Sequence, residues 1–248
     1  MAVAFISDIH GNVSALEAVL ADCRRLGIND FVCLGDVASI GAHPRETLDL
    51  VRELQCPVIM GNTDAEVLHP RQADASASDI LKCKLAAEQW CSEQLTEADK
   101  AFIRSFRASY TFRHEDTEIL CFHASPHNDT DFIRDTTDEA SLDRYFSGYS
   151  AQVFMGGHSH IPFLRRYRQS WFANPGSVGM PYQTLADGSE ARPAWAEYAI
   201  LDVTHGQPNL SFRRAPYDVA QMVKRVRATD MPCPDVLLDG WLKRQLVK

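Results

Sequence analysis

Seven side chains in this sequence could share a single inorganic chemistry. In chain order they are Asp8 and His10 in "SDIHGN", Asp36 in "CLGD", Asn62 in "GNTD", His123 in "CFHAS", and His158 and His160 in "GGHSH". Together they offer two carboxylates, one amide oxygen and four imidazoles, with no cysteine among them. Such a mixed oxygen and nitrogen set suits Mn²⁺, Fe or Zn²⁺. Seven donors exceed what one tetrahedral ion needs. Two ions sharing a bridging carboxylate would use all of them, and a pair about 3.5–4 Å apart is the recurring clamp for displacement at phosphorus.

A lone Asp after a strand is usually a cap or a turn residue. Here the elements argue for a joint role. "AVAFIS", "FVCLGD" and "PVIMGNTD" read as short strands buried on both faces, separated by the helices "VSALEAVLADCRRLGI" and "HPRETLDLVREL". Successive βα units imply a largely parallel sheet, and the carboxyl ends of its strands are where ligands bind. Each strand delivers polar residues at that edge, with glycines beside them that permit close backbone approach. "TEILCFHAS" and "AQVFMGGHSH" repeat the pattern. The remaining histidines, 43, 69, 114, 127 and 205, lack this setting and read as structural; His127 is the least secure because it follows His123 closely.

Asn12 can cap the first helix. Residues 65–107 break the strand pattern: "DASASDILKCKLAAEQWCSEQL" and "TEADKAFIRSF" predict two helices, the second opened by a capping-box relation between Thr96 and Asp99. This stretch is expected to be a helical insertion above the site. Trp90, Phe102 and Phe106 could stack on a base there, but aromatics at helical spacing more often belong to the core. Further on, "PFLRRYRQSWFANPGSVG" and "AEYAILDV" with "NLSFRRA" suggest antiparallel strands closing a second sheet, and the "RRYR" strip reads as a solvated face. One domain over residues 1–248 is expected.

The chain has 248 residues, 45% of them hydrophobic, enough for a substantial core. Its formal net charge of -8 argues against a nucleic-acid-binding surface. A strand starting near Ala2 leaves no room for an apolar leader, and no stretch approaches about 18 apolar residues in a row, so a soluble cytoplasmic protein without membrane contact is expected. The seven cysteines (23, 33, 56, 83, 91, 121 and 233) are an odd number without a CxxC pair. Buried reduced thiols are the expectation, rather than a disulfide frame.

The series D-x-H, G-D, G-N-x-D, a single histidine and G-H-x-H, with "HASP" and "NPGSVG", resembles the calcineurin-like metallophosphoesterases, in particular their compact prokaryotic phosphodiesterase branch. The resemblance spans about residues 1–215. It implies an α/β fold, a four-layer α/β/β/α sandwich of two mixed sheets flanked by helices, with the metals at the strand ends. It also implies Asp8, His10 and His160 on one divalent ion, Asn62, His123 and His158 on the other, and Asp36 between them. Asn62 would place the phosphate as well as bind metal, Asp64 would orient a ligand or a water, and Asn12 and Thr63 would contact the substrate.

Two departures redirect the expected specificity. Many relatives carry histidine where this chain has Thr63, and a threonine hydroxyl has no suitable pKa to act as a general acid near neutrality. Ser39 and Ile40 stand where phosphoprotein phosphatases tend to carry Asp-Arg. The implied activity is hydrolysis of a phosphodiester or nucleotide-type phosphoanhydride by attack of a metal-bridging hydroxide, on a small substrate with nucleotides among the candidates. Small-molecule phosphomonoester hydrolysis is the nearest alternative. A catalytically weak protein-binding scaffold, as in the phosphoesterase-like subunit of the retromer coat, is the rival from another class.

Overall fold

Val3–Ile6 forms strand β1, and all four side chains are buried, Val3 and Phe5 in one cluster and Ala4 and Ile6 in another. A strand apolar on both sides must lie between two layers. The computed structural model describes residues 2–184, 188 and 190–245. After β1 come α1 (Val13–Arg25), β2 (Asp30–Cys33), α2 (Pro44–Glu53), α3 (Asn62–Leu68), α4 (Asp79–Gln94) and α5 (Glu97–Arg104). Then follow β3 (Ser109–His114), β4 (Thr117–Phe122), α6 (Glu139–Tyr145), β5 (Val153–Met155), β6 (Phe163–Tyr167) and β7 (Ser170–Asn174). The chain continues through β8 (Gln183–Thr184), β9 (Glu190–Ala191), β10 (Trp195–Thr204), β11 (Gln207–Pro216), α7 (Val219–Arg227) and α8 (Pro234–Gln245).

Two mixed sheets result, one in the order β11-β10-β1-β2 and one in the order β3-β4-β5-β7-β6, with β8 and β9 as a small separate ribbon. Side-chain alternation welds them together. Val3, Phe5, Val32 and Leu34 from the first sheet meet Ile119, Cys121, Val153, Met155 and Ala173 from the second in one buried cluster. On the outer face of the first sheet, Ala4, Ile6, Phe31 and Cys33 pack under Leu16, Val19, Leu48 and Val51 of α1 and α2. On the outer face of the second, Leu120, Phe122, Phe154 and Phe172 pack under Leu142 and Phe146 at α6. The order helix, sheet, sheet, helix is the four-layer α/β sandwich expected from the sequence.

Three sequence readings are revised. "PVIMGNTD" makes only isolated bridges, Cys33 to Val58 and Ile59 to Arg107, because Pro57 has no N–H to donate and α3 already starts at Asn62. The β10–β11 hairpin does not close the second sheet. It joins the first, β10 running antiparallel to β1 with Val3 opposite Leu201 and Phe5 opposite Ala199. Third, the cysteines are not all thiols: Cys83 on α4 is bonded to Cys233 just before α8, 150 residues away. The other five are free. Spacing could not show this pair, since only the fold brings α4 and the C-terminal segment together.

The Thr96–Asp99 capping box is present at the start of α5. Trp90 packs partly buried against two core clusters and donates its indole N–H to Asp230 at 3.0 Å, while Phe106 is buried and packs edge-on against Phe102. These aromatics serve packing rather than the cleft. The "RRYR" strip is tied down locally, Arg165 by Glu139 and Arg168 by Asp143. Among the described residues no helix is long and apolar enough to cross a membrane.

The bridge closes a long loop of chain, so Cys83→Ser is expected to lower unfolding stability by about 2–5 kcal/mol. A chemical melt of the variant against the oxidised wild type checks this. An unchanged midpoint would mean that the bridge does not form in solution.

Candidate metal centre

The strand ends converge through a backbone mesh. The N–H groups of Asp8, His10 and Gly11 donate to the carbonyls of Gly35, Asp36 and Val37 at 2.9–3.0 Å, and Gly157 N–H donates to the His123 carbonyl at 2.7 Å. The "NPGSVG" segment braces the same loops. Val178 and Gly179 donate to the carbonyls of Ser7 and Asp8, the Ser177 hydroxyl donates to the Asp8 carbonyl at 2.7 Å, and the Asn174 amide donates to the Gly157 carbonyl. Gly11 turns at φ +59°, where a Cβ would come within 2.8 Å of Gly41 Cα, so the tight turn beneath His10 needs glycine.

Five of the seven sequence-predicted ligands are themselves in the left-handed region: Asp8, His10, Asp36, His158 and His160, with φ between 46° and 65°. Non-glycine residues are uncommon there, and each costs on the order of 1–3 kcal/mol unless its surroundings impose it. The strain aims the side chains inward. Asp8, His10 and His160 bring one ligand atom each within 4.8 Å of one another, and so do Asp36, His123 and His158.

The two groups meet at Asp36. Its Oδ1 accepts from Thr63 N–H at 2.9 Å, while its Oδ2 lies 3.6 Å from His10 Nε2 and 3.5 Å from His123 Nε2. His123 Nε2 is also 3.3 Å from Asn62 Oδ1. Each of three rings is held from behind: Nδ1–H of His10, His123 and His160 donates to the carbonyls of Ser39, Leu34 and Met180 at 3.2, 2.7 and 2.8 Å. A carbonyl can only accept, so in the neutral ring the proton sits on Nδ1 and the Nε2 lone pair faces inward, the arrangement that holds metal-ligating histidines.

Those lone pairs then face other electron-rich atoms. His10 Nε2 and His160 Nε2 are 3.1 Å apart, and His160 Nε2 is 3.2 Å from Asp8 Oδ1, a buried oxygen with no hydrogen-bond partner. Only a cation or a proton between them reconciles such contacts, so the donor set fits metal. Left to protons alone, the groups divide. Burial works to raise Asp8 and Asp36, but His160 and His123 respectively overcome it and hold both below the usual carboxylate range. Burial, outweighing Asp36, drives His10 down to about 4. Burial also pulls on His123, yet the Asp36 charge and hydrogen bond carry it up to about 10.

Asp64 is fully buried, and its carboxylate accepts from the N–H groups of Asp36, Val37 and Gly61 at 2.7, 2.9 and 3.1 Å. It therefore clamps the Asp36 loop against the start of α3. Burial and then the Asp36 charge raise its pKa to about 7. Asp64→Asn places an amide N–H against those donors. Metal affinity is expected to fall about 10–100-fold, read by calorimetric Mn²⁺ titration of the stripped protein; unchanged affinity would mean that the clamp is dispensable.

Thr63 is buried and its hydroxyl has no hydrogen-bond partner. It lines a cavity of about 430 Å³ with His10, Asp36, Asn62, His158 and His160. Asn12 does not line that cavity. Its side-chain Oδ1 caps α1 by accepting from Ala15 N–H, its side-chain NH₂ donates to the Gly179 carbonyl at 3.0 Å, and it borders a separate small void. His127 stays outside the cluster, its Nε2–H donating to the Ser147 carbonyl. Sequence reasoning placed a helical insertion above the site but named none of the residues that wall the cavity: Ile80, Cys83, Lys84 and Ala87 from α4, and Met180, Tyr182 and Arg192. None of these carries a periodic or motif signal.

A family model described as "Calcineurin-like phosphoesterase superfamily domain" matches residues 1–206. An uncharacterized protein of Methanocaldococcus jannaschii is 29% identical over 245 residues, covering 93% of each chain. Among solved structures, a metallophosphoesterase from Sphaerobacter thermophilus superposes with TM-score 0.72 at 24% identity, covering 96% of this chain and 97% of that one. A hypothetical protein from Pyrococcus horikoshii gives TM-score 0.78 at 20% identity, covering 96% of each.

Proposed function

The chain belongs to the calcineurin-like phosphoesterase superfamily, and from that premise we propose that it hydrolyses a phosphodiester or a nucleotide-type phosphoanhydride with two divalent ions, Mn²⁺, Fe or Zn²⁺. It is a metal-dependent phosphoric ester hydrolase; the substrate class and the pair of ions are what is proposed. The observation that carries it is the single Asp36 oxygen facing both ligand groups, His10 on one side and His123 on the other.

Two divalent ions bound there supply Lewis-acid polarisation of the phosphoryl oxygens and lower the pKa of a water. The chain's own residues do the rest. Asp8, His10 and His160 would hold one ion, Asn62, His123 and His158 the other, with Asp36 facing both groups. Asn62 and the unpaired Thr63 hydroxyl orient a phosphoryl oxygen, and Asp64 fixes the loop that presents Asp36. Thr63 cannot protonate a leaving group near neutrality, so leaving groups of low basicity are favoured, as in a phosphoanhydride or an activated diester. In this reading residues 1–248 form one domain and residues 65–107 are its cap; the α4 side chains lining the cavity support that placement. A cytoplasmic setting belongs to the same reading; the five free cysteines agree with it and the Cys83–Cys233 bond does not.

The test is a panel of bis-p-nitrophenyl phosphate, p-nitrophenyl phosphate, dinucleoside polyphosphates and mononucleotides, assayed with Mn²⁺. Higher kcat/KM on diesters or anhydrides is expected. Preference for monoesters would replace this substrate class, and a metal-filled protein inert to the whole panel would favour the scaffold.

A further inference from the structure

The cavity holds a cation that the hydrolytic machinery does not use. Arg192 follows β9, and its guanidinium carbon lies 5.1 Å from the centroid of the Tyr182 ring and 4.8 Å from that of Trp241. Its main-chain N–H donates to the Gly240 carbonyl on α8 at 3.0 Å. Gly240 makes room for the side chain: a Cβ there would come within 2.7 Å of Arg192 Cγ. A glycine inside a helix is unfavourable, so this helix gives up local stability where the arginine passes.

Two aromatic faces and a helical glycine hold this group, and among the described residues no ion pair neutralises it. Nη1 is buried with no hydrogen-bond partner, the side chain's hydrogen bond goes to Tyr182, and among the described residues the guanidinium forms no ion pair with a carboxylate. Burial pulls its pKa down, and Tyr182, Tyr217 and Glu190 offset this only in part. A desolvated cation with no anion beside it among the described residues is costly, and cation–π contact returns only part of that cost. The missing partner is an anion, and the cavity is where one can arrive. Tyr182 also packs against His160, ring centroids 5.4 Å apart, so the guanidinium stands one ring away from a candidate metal ligand. Ile40, Met180, Met231 and Leu237 line the same cavity and offer apolar surface to an organic spacer.

We propose that Arg192 is a specificity-determining residue that binds a second phosphate of the substrate, while the metal centre engages the phosphate being hydrolysed. This rests on the phosphoesterase reading and narrows it to phosphate esters or anhydrides carrying at least two phosphates. The planar guanidinium fork matches a phosphate bidentately, which an ammonium does not.

ADP and AMP, which differ by one phosphate, are the probes. Calorimetric binding and Mn²⁺-dependent turnover are measured for the wild type, Arg192→Met and Arg192→Lys. Wild type is expected to prefer ADP; Arg192→Met should weaken ADP binding about 10-fold or more, the scale of a hydrogen bond to a charged group, and leave AMP within about twofold, with Arg192→Lys between. Retained AMP binding also shows that the variants fold. Equal losses on both nucleotides, or no loss on ADP, overturn the subsite. Arg192-dependent discrimination in binding, without turnover of either nucleotide or of bis-p-nitrophenyl phosphate, would uphold the subsite and sink the phosphoesterase reading. Turnover without discrimination would do the reverse.

Discussion

Asp36→Asn is expected to yield a folded protein that retains at most one metal ion per chain and hydrolyses bis-p-nitrophenyl phosphate at least about 10²–10³-fold more slowly, the scale lost when one preorganised charge-stabilising group is removed. The carboxylate has two jobs. Oδ1 is pinned by Thr63 N–H at 2.9 Å, and Oδ2 looks toward His10 and His123 at 3.6 and 3.5 Å. Asparagine keeps the shape and satisfies only one. With its oxygen toward Thr63 it turns an NH₂ group toward the position a cation needs, and with its oxygen inward it sets NH₂ against N–H. Stability should fall in the metal-free state as well, because against burial His123 holds the Asp36 carboxylate low and Asp36 in turn carries His123 up to about 10, so the variant leaves a buried imidazolium without its partner. Metal analysis of the purified variant, its turnover, and a melt in chelator together test the claim. Two ions with wild-type turnover would show that Asp36 is not shared between them.

The convergence of the candidate ligands was legible because its signal is local. Each of β1, β2, β4 and β5 buries a short apolar run and ends in a donor, and alternation such as Val3 and Phe5 against Ala4 and Ile6 reports a layer on both sides. Two sheets and the convergence of their strand ends follow from that pattern. Register does not. Nothing in "AEYAILDV" shows that β10 lies beside β1 rather than at the edge of the second sheet, since an apolar strand fits any open edge. Asn12 shows the limit of reading a residue by its neighbours: it stands two positions from His10, yet both ends of its amide serve the start of α1 and Gly179. Arg192 and the Cys83–Cys233 pair were invisible for the same reason as each other. Their surroundings are assembled from α4, the β8–β9 ribbon and α8, segments far apart in sequence and joined only by packing. Asp64 was legible as a supporting residue, but its three backbone donors appear only once the loops fold together.

Chelation is expected to lower the melting temperature by roughly 10 °C and abolish turnover together, with Mn²⁺ restoring both; an ion at about 1,000 times its Kd contributes about 4 kcal/mol, and a chain of this size shifts about 2–4 °C per kcal/mol. The expectation comes from what lies buried at the centre. Asp8 Oδ1 lacks a hydrogen bond, His10 and His160 present Nε2 atoms 3.1 Å apart, and five candidate ligand residues sit in left-handed backbone. Each feature raises the energy of the folded chain unless positive charge occupies the middle. Protons supply it incompletely: His123 is pushed up to about 10 while His10 is driven down to about 4, so one ring is charged and the other stays neutral with its lone pair inward. Removal of metal should therefore loosen the loops at residues 8–12, 36–41 and 157–160 before the sheets, which keep their own cores. Amide exchange under chelator should rise first in those loops. A melting temperature indifferent to chelator, with turnover intact, would mean that these side chains are stabilised by protons alone and that catalysis uses no metal.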